Sequence, residues 1–99
     1  MTVDFDRLRP RLAELCARYG ISELSVFGSV VREDDHPDSD VDLLYVWDTE
    51  ADPSWHALWQ LRQELASLLG RPIDLVPKES LHWVVRDRVL ADARVVYAA

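Results

Sequence analysis

Two aspartates one residue apart, Asp40 and Asp42, stand directly before an apolar run, Leu43-Leu44-Tyr45-Val46-Trp47. No other feature constrains the fold of this chain as strongly. A run so nearly free of polar residues predicts a strand covered on both faces, central in a sheet, over Asp40–Trp47. Strand alternation sends both aspartate side chains from one face, about 6.6 Å apart along the chain. A second strand, Glu23–Phe27, ends at Gly28-Ser29. A glycine that follows a strand marks a tight turn or a close approach of backbone to ligand. The junction therefore reads as two strands with a small-residue turn and an acidic pair at their facing ends.

The rest of the chain reads as the packing around these strands. Helical spacing predicts a helix from about Arg7 to Tyr19, with Leu8, Leu12, Leu15, Cys16 and Tyr19 on one stripe. Asp6 serves as its N-cap, Pro10 falls in the first turn and Gly20 supplies the left-handed stop. Val30–Glu33 reads as a short helix, Asp34–Ser39 as a loop and Thr49–Asp52 as a linker. Pro53-Ser54 opens a helix over Trp55–Leu69, with Trp55, Leu58, Trp59, Leu65, Ala66 and Leu69 on one face and Gly70 at its end. Pro72–Val76 is a third strand, carrying Asp74 between Ile73 and Leu75. Ser80 caps a last helix to about Ala91, and Arg94–Tyr97 adds an edge strand. The four tryptophans, Trp47, Trp55, Trp59 and Trp83, fit core packing first and an interface second. The expected architecture is one α/β (α+β) domain over residues 1–99, a small mixed β-sheet packed by helices.

Charge and composition narrow the function. Eighteen acids against eleven bases leave a net charge of -7, which disfavours stable binding to nucleic acid or to an anionic membrane. A metal-bound nucleotide or a basic partner protein suits it better. Cys16 is the single cysteine, so no internal disulfide forms and a reducing, cytoplasmic setting is expected. The N-terminal stretch lacks the apolar core of a signal peptide, and no apolar run reaches membrane-span length. At 99 residues, there is room for one core and a shallow site, so part of any substrate site comes from elsewhere.

The candidate chemistry is metal and phosphate. Asp40 and Asp42 can converge on a pair of divalent cations, which sit about 3.5–4 Å apart in two-metal sites. Asp74 is the one acid in the middle of another apolar strand and would complete the set. Unpaired, three such carboxylates repel one another, and bound magnesium removes that objection. Ser29 offers a hydroxyl and, with Val30, backbone N–H groups to a phosphate. Arg32 can reach the same anion or hold an acid in place. Each signal alone has a plainer explanation: a solvated strand end for Asp-x-Asp, an exposed edge position for Asp74. A calcium loop is excluded, because Leu43 stands where it needs glycine and Thr49 where it needs glutamate. No P-loop is present, and His36, His56 and His82 lack partners at zinc or triad spacing.

Gly28-Ser29, then Asp40-Val41-Asp42, then a later strand acid at Asp74 resembles the DNA polymerase beta-type nucleotidyltransferase superfamily. The whole chain resembles its smallest members, the MNT-type minimal nucleotidyltransferases that pair with HEPN-domain proteins as toxin–antitoxin systems. The run Pro37-Asp38-Ser39-Asp40 before Val41-Asp42-Leu43-Leu44 is typical of them, and Arg32 stands where the family has its arginine. Val31 and Glu33 depart from the alanine and glycine that often flank it, and Glu33 adds negative charge near the phosphates.

The resemblance implies the polymerase beta-like palm fold and transfer of AMP from ATP to a hydroxyl. Asp40, Asp42 and Asp74 would hold two Mg²⁺ ions, with Asp74 on the acceptor side. Gly28, Ser29, Val30 and Arg32 would hold the triphosphate. The implied acceptor is a tyrosine of a HEPN ribonuclease toxin, silenced by the modification. Two alternatives stay open: neutralisation of the toxin by binding alone, and a small-molecule nucleotidyltransferase that borrows its acceptor domain from a second chain.

Overall fold

A computed structural model describes residues 4–28, 40–48, 54–81 and 83–99. Helix α1 (Phe5–Tyr19) begins two residues earlier than the periodicity predicts. The N-cap is Asp4, whose carboxylate accepts from the Arg7 N–H at 3.2 Å, and Asp6 instead pairs with Arg9 at 3.0 Å. This correction moves Pro10 from the first turn into the helix interior. Leu12 and Cys16 are fully buried, and Gly20 closes the helix in the left-handed conformation.

Strands β1 (Ile21–Phe27) and β2 (Val41–Trp47) are antiparallel neighbours at the centre of a four-stranded sheet. Helix α2 (Trp55–Leu69) crosses to β3 (Ile73–Pro77), which lies parallel to β2. Ser54 caps α2, accepting from the Ala57 N–H at 3.0 Å. Gly70 ends it, donating to the Ala66 carbonyl. A 3-10 turn (Lys78–Ser80) precedes α3 (Trp83–Asp92), and β4 (Arg94–Ala98) pairs antiparallel with β1. Ser80 thus belongs to that turn rather than capping the last helix. The strand order is β3-β2-β1-β4, so the apolar run after Asp42 is internal and Asp74 lies on an edge strand. The expected mixed sheet packed by helices is the fold observed.

The core explains why β2 is so apolar. Val41, Leu43 and Tyr45 point to one face, where they meet Leu12 and Cys16 of α1, Leu61 and Leu65 of α2, and Ile73. Leu44, on the opposite face, is also buried, as is its cross-strand partner Ser25. The face predicted for α2 needs correction: Leu61 and Leu65 are its buried residues, while Trp55 and Trp59 are exposed. Leu61 lies one helical turn before Leu65, and that pair sets the inward stripe. Among the described residues no helix is long and apolar enough to cross a membrane.

Candidate active site

Parallel pairing brings Asp42 of β2 directly opposite Asp74 of β3. Paired residues on neighbouring strands project from the same face, with backbones about 4.8 Å apart, so both carboxylates stand on the side away from Val41, Leu43 and Ile73. Asp40 precedes β2, is exposed, and has the same strand parity as Asp42. Asp42 is half-buried and Asp74 exposed, which leaves the acids open to a ligand from solvent.

On the other side of Asp42, β1 supplies the turn. Phe27 is the cross-strand partner of Asp42, and Gly28 follows with φ +82°. A Cβ at Gly28 would lie 3.3 Å from Asp42 Cγ and collide with Oδ2. Glycine is therefore required twice, for the left-handed backbone and for the carboxylate that fills the place of its side chain. The strand-end glycine is thus a seat for the second aspartate of the pair.

Ser29, Val30 and Arg32, with Val31 and Glu33, lie outside the described residues. Among the described residues no three His, Cys, Asp or Glu side chains form a ready-made metal cage. The donor set still fits magnesium, a hard cation that takes one or two carboxylates and completes its shell with substrate phosphates and water. Asp42 and Asp74 supply two carboxylates on one face, and Asp40 lies two residues from the first.

The edge strand that carries Asp74 is pinned from outside. The Pro72 carbonyl accepts from the Val41 N–H at 2.8 Å, so the Ile73 carbonyl faces away from β2. There it accepts from Arg62 Nε of α2 at 2.9 Å. This contact blunts an otherwise open edge and locks α2 beside the acid. Arg71, three residues before Asp74, is buried. Neither arginine was expected to matter, because no local pattern marks a long-range contact.

The sequence profile of the nucleotidyltransferase domain matches residues 9–96. The chain belongs to the nucleotidyltransferase domain family. This nucleotidyltransferase is 44% identical over 84 residues to the protein adenylyltransferase MntA of Thermococcus cleftensis, covering 85% of this chain and 81% of that one. A solved structure assigned as a minimal nucleotidyltransferase superposes with a TM-score of 0.73 at 34% identity, over 92% of this chain and 94% of the other. The fold is also that of a chain in the complex of tri-AMPylated Shewanella oneidensis HEPN toxin with MNT antitoxin. That match has a TM-score of 0.66 at 20% identity, over 97% and 74% of the two chains. The nucleotidyltransferase is thereby a relative of the adenylyltransferase MntA, and the transferase family is the one the motif predicted.

Proposed function

We propose that this nucleotidyltransferase transfers AMP from ATP to a hydroxyl, a tyrosine side chain, of a partner HEPN toxin and so neutralises it. The observation that carries the reading is the opposition of Asp42 and Asp74 on one face, with Gly28 seating Asp42 from the other side. The relationship to the Thermococcus adenylyltransferase MntA supports it, as does the AMPylated toxin held by an antitoxin of the same fold. The setting is the cytoplasm, where Cys16 stays reduced.

Gly28, Ser29 and Val30 accept the triphosphate against backbone N–H groups, and Arg32 balances its charge. Asp40, Asp42 and Asp74 would hold two Mg²⁺ ions, which when bound would neutralise charge developing on the phosphates. Asp74 takes the proton of the attacking hydroxyl. The hydroxyl oxygen bonds to the α-phosphorus, the bond from that phosphorus to the bridging oxygen breaks, and pyrophosphate departs in line. Catalysis rests on positioning and charge neutralisation.

The test is incubation with ATP, Mg²⁺ and a purified HEPN protein from the same genome, followed by intact mass measurement of both proteins. An AMP-sized gain on the HEPN protein, absent with Asp42→Asn, is expected. No gain with the wild-type chain, together with full protection of cells by Asp42→Asn, would leave neutralisation by binding alone.

A further inference from the structure

Helix α2 turns two tryptophans outward beside the edge strand. Trp55 is 88% exposed and Trp59 58%, while Leu61 and Leu65 of the same helix are buried. Single exposed apolar residues are ordinary on protein surfaces. Here both indoles line one groove of about 520 Å³, together with Leu58, Arg62, Asp74 and Leu75. Two adjacent exposed tryptophans in a concave, largely apolar surface are unusual for a free face, and tryptophan is the residue type most concentrated at interface hot spots.

The order of strands decides what the groove receives. Across the sheet lie Gly28 at the end of β1, Asp42 on β2, Asp74 on β3, and then the groove. An in-line displacement puts the incoming hydroxyl opposite the departing pyrophosphate. With the triphosphate tail at Gly28, the hydroxyl enters from the Asp74 side, where the tryptophans stand. Charge selects the flanks of the incoming segment. The chain carries -7 overall, while the groove holds one arginine, one aspartate and His56. Arg62 is already engaged with the Ile73 carbonyl.

We infer that the Trp55–Trp59 groove docks the acceptor-bearing segment of the protein substrate, an apolar stretch with its hydroxyl residue aimed at Asp74 and basic side chains on either side. The direction of entry rests on the AMP-transfer reading above. The tryptophans act by holding the segment and do not touch the reacting atoms.

The probe is the purified HEPN protein of the transfer test above, with labelled ATP and Mg²⁺. Trp55→Ala/Trp59→Ala should weaken its binding at least tenfold by calorimetry and raise KM for it by a similar factor. KM for ATP and the Tm should stay unchanged, and Trp→Phe at both positions should restore part of the loss. Trp55→Lys alone, at the more exposed position, serves if the double variant fails to fold. Unchanged binding and transfer would overturn the proposal. A parallel loss of ATP affinity would also overturn it, by assigning the groove to the nucleobase. If the wild-type chain transfers no AMP, the functional reading falls, and affinity for the HEPN protein still decides the groove: weakened binding upholds it as a docking surface and unchanged binding removes it.

Discussion

Asp42 and Asp74 face each other across two parallel strands, although 31 intervening residues and a whole helix separate them in the chain. Two like charges so placed repel unless a cation or a proton intervenes. Asp42→Asn and Asp74→Asn should each lower AMP transfer on the order of 100-fold, the scale of losing one group that stabilises developing charge. Stability without divalent cations should hold for Asp74→Asn, because that side chain is exposed on an edge strand. Transfer assays and urea melts with and without EDTA check both halves, and a variant that loses activity only by unfolding would contradict the assignment.

Gly28 tolerates no side chain. Gly28→Ala puts a methyl group into the Asp42 carboxylate and forces an L-residue to φ +82°. The left-handed backbone alone should cost about 1–2 kcal/mol, read as a lower urea midpoint. Activity should fall further than stability, because the displaced carboxylate is the proposed ligand. An active, equally stable Gly28→Ala protein would remove Gly28 from the site.

Pro10 sits inside α1, where it has no N–H to offer the Asp6 carbonyl. Pro10→Ala should therefore stabilise the protein by about 1–2 kcal/mol, the helix gain less the extra freedom of the unfolded chain. Circular dichroism during urea denaturation measures it. A loss of stability would show that the ring packs in a way that outweighs the missing bond.

Burial pushes the Cys16 thiol up from its usual value near 9 to about 12. The folded state therefore keeps a proton that the unfolded chain releases, so stability is full below pH 9 and declines as pH rises toward 12. The slope is about 1.4 kcal/mol per pH unit for one proton. Tyr45, raised by burial and then by Glu79, acts in the same direction. Melts from pH 8 to 11 should show the decline. Cys16→Ala should flatten it while lowering overall stability, and thiol reagents should react with Cys16 only on unfolding.

Much of the fold was legible in the sequence because the signals are local. Gly20 and Gly70 end their helices, Ser54 caps α2, and the run after Asp42 is a central strand, each set by neighbours within one turn or one strand. Capping at the first helix misled because Asp4 and Asp6 are equally good caps, and two extra residues of helix bury Phe5. The α2 tryptophans misled because spacing identifies a stripe without saying which stripe meets the sheet.

By itself the sequence determined that Asp42 stands at the start of a central strand, that Gly28 follows a strand, and that the chain has a nucleotidyltransferase pattern. Alternation and glycine conformation are properties of the local backbone. Only the tertiary structure decided that Asp74 stands opposite Asp42, that Gly28 makes room for a carboxylate, and that Trp55 and Trp59 line a groove beside the β3 edge strand. Those three depend on strand register and on how α2 rolls onto the sheet. Both are set by packing Leu61, Leu65 and Ile73 against Val41 and Leu43, a choice among contacts distant in the chain.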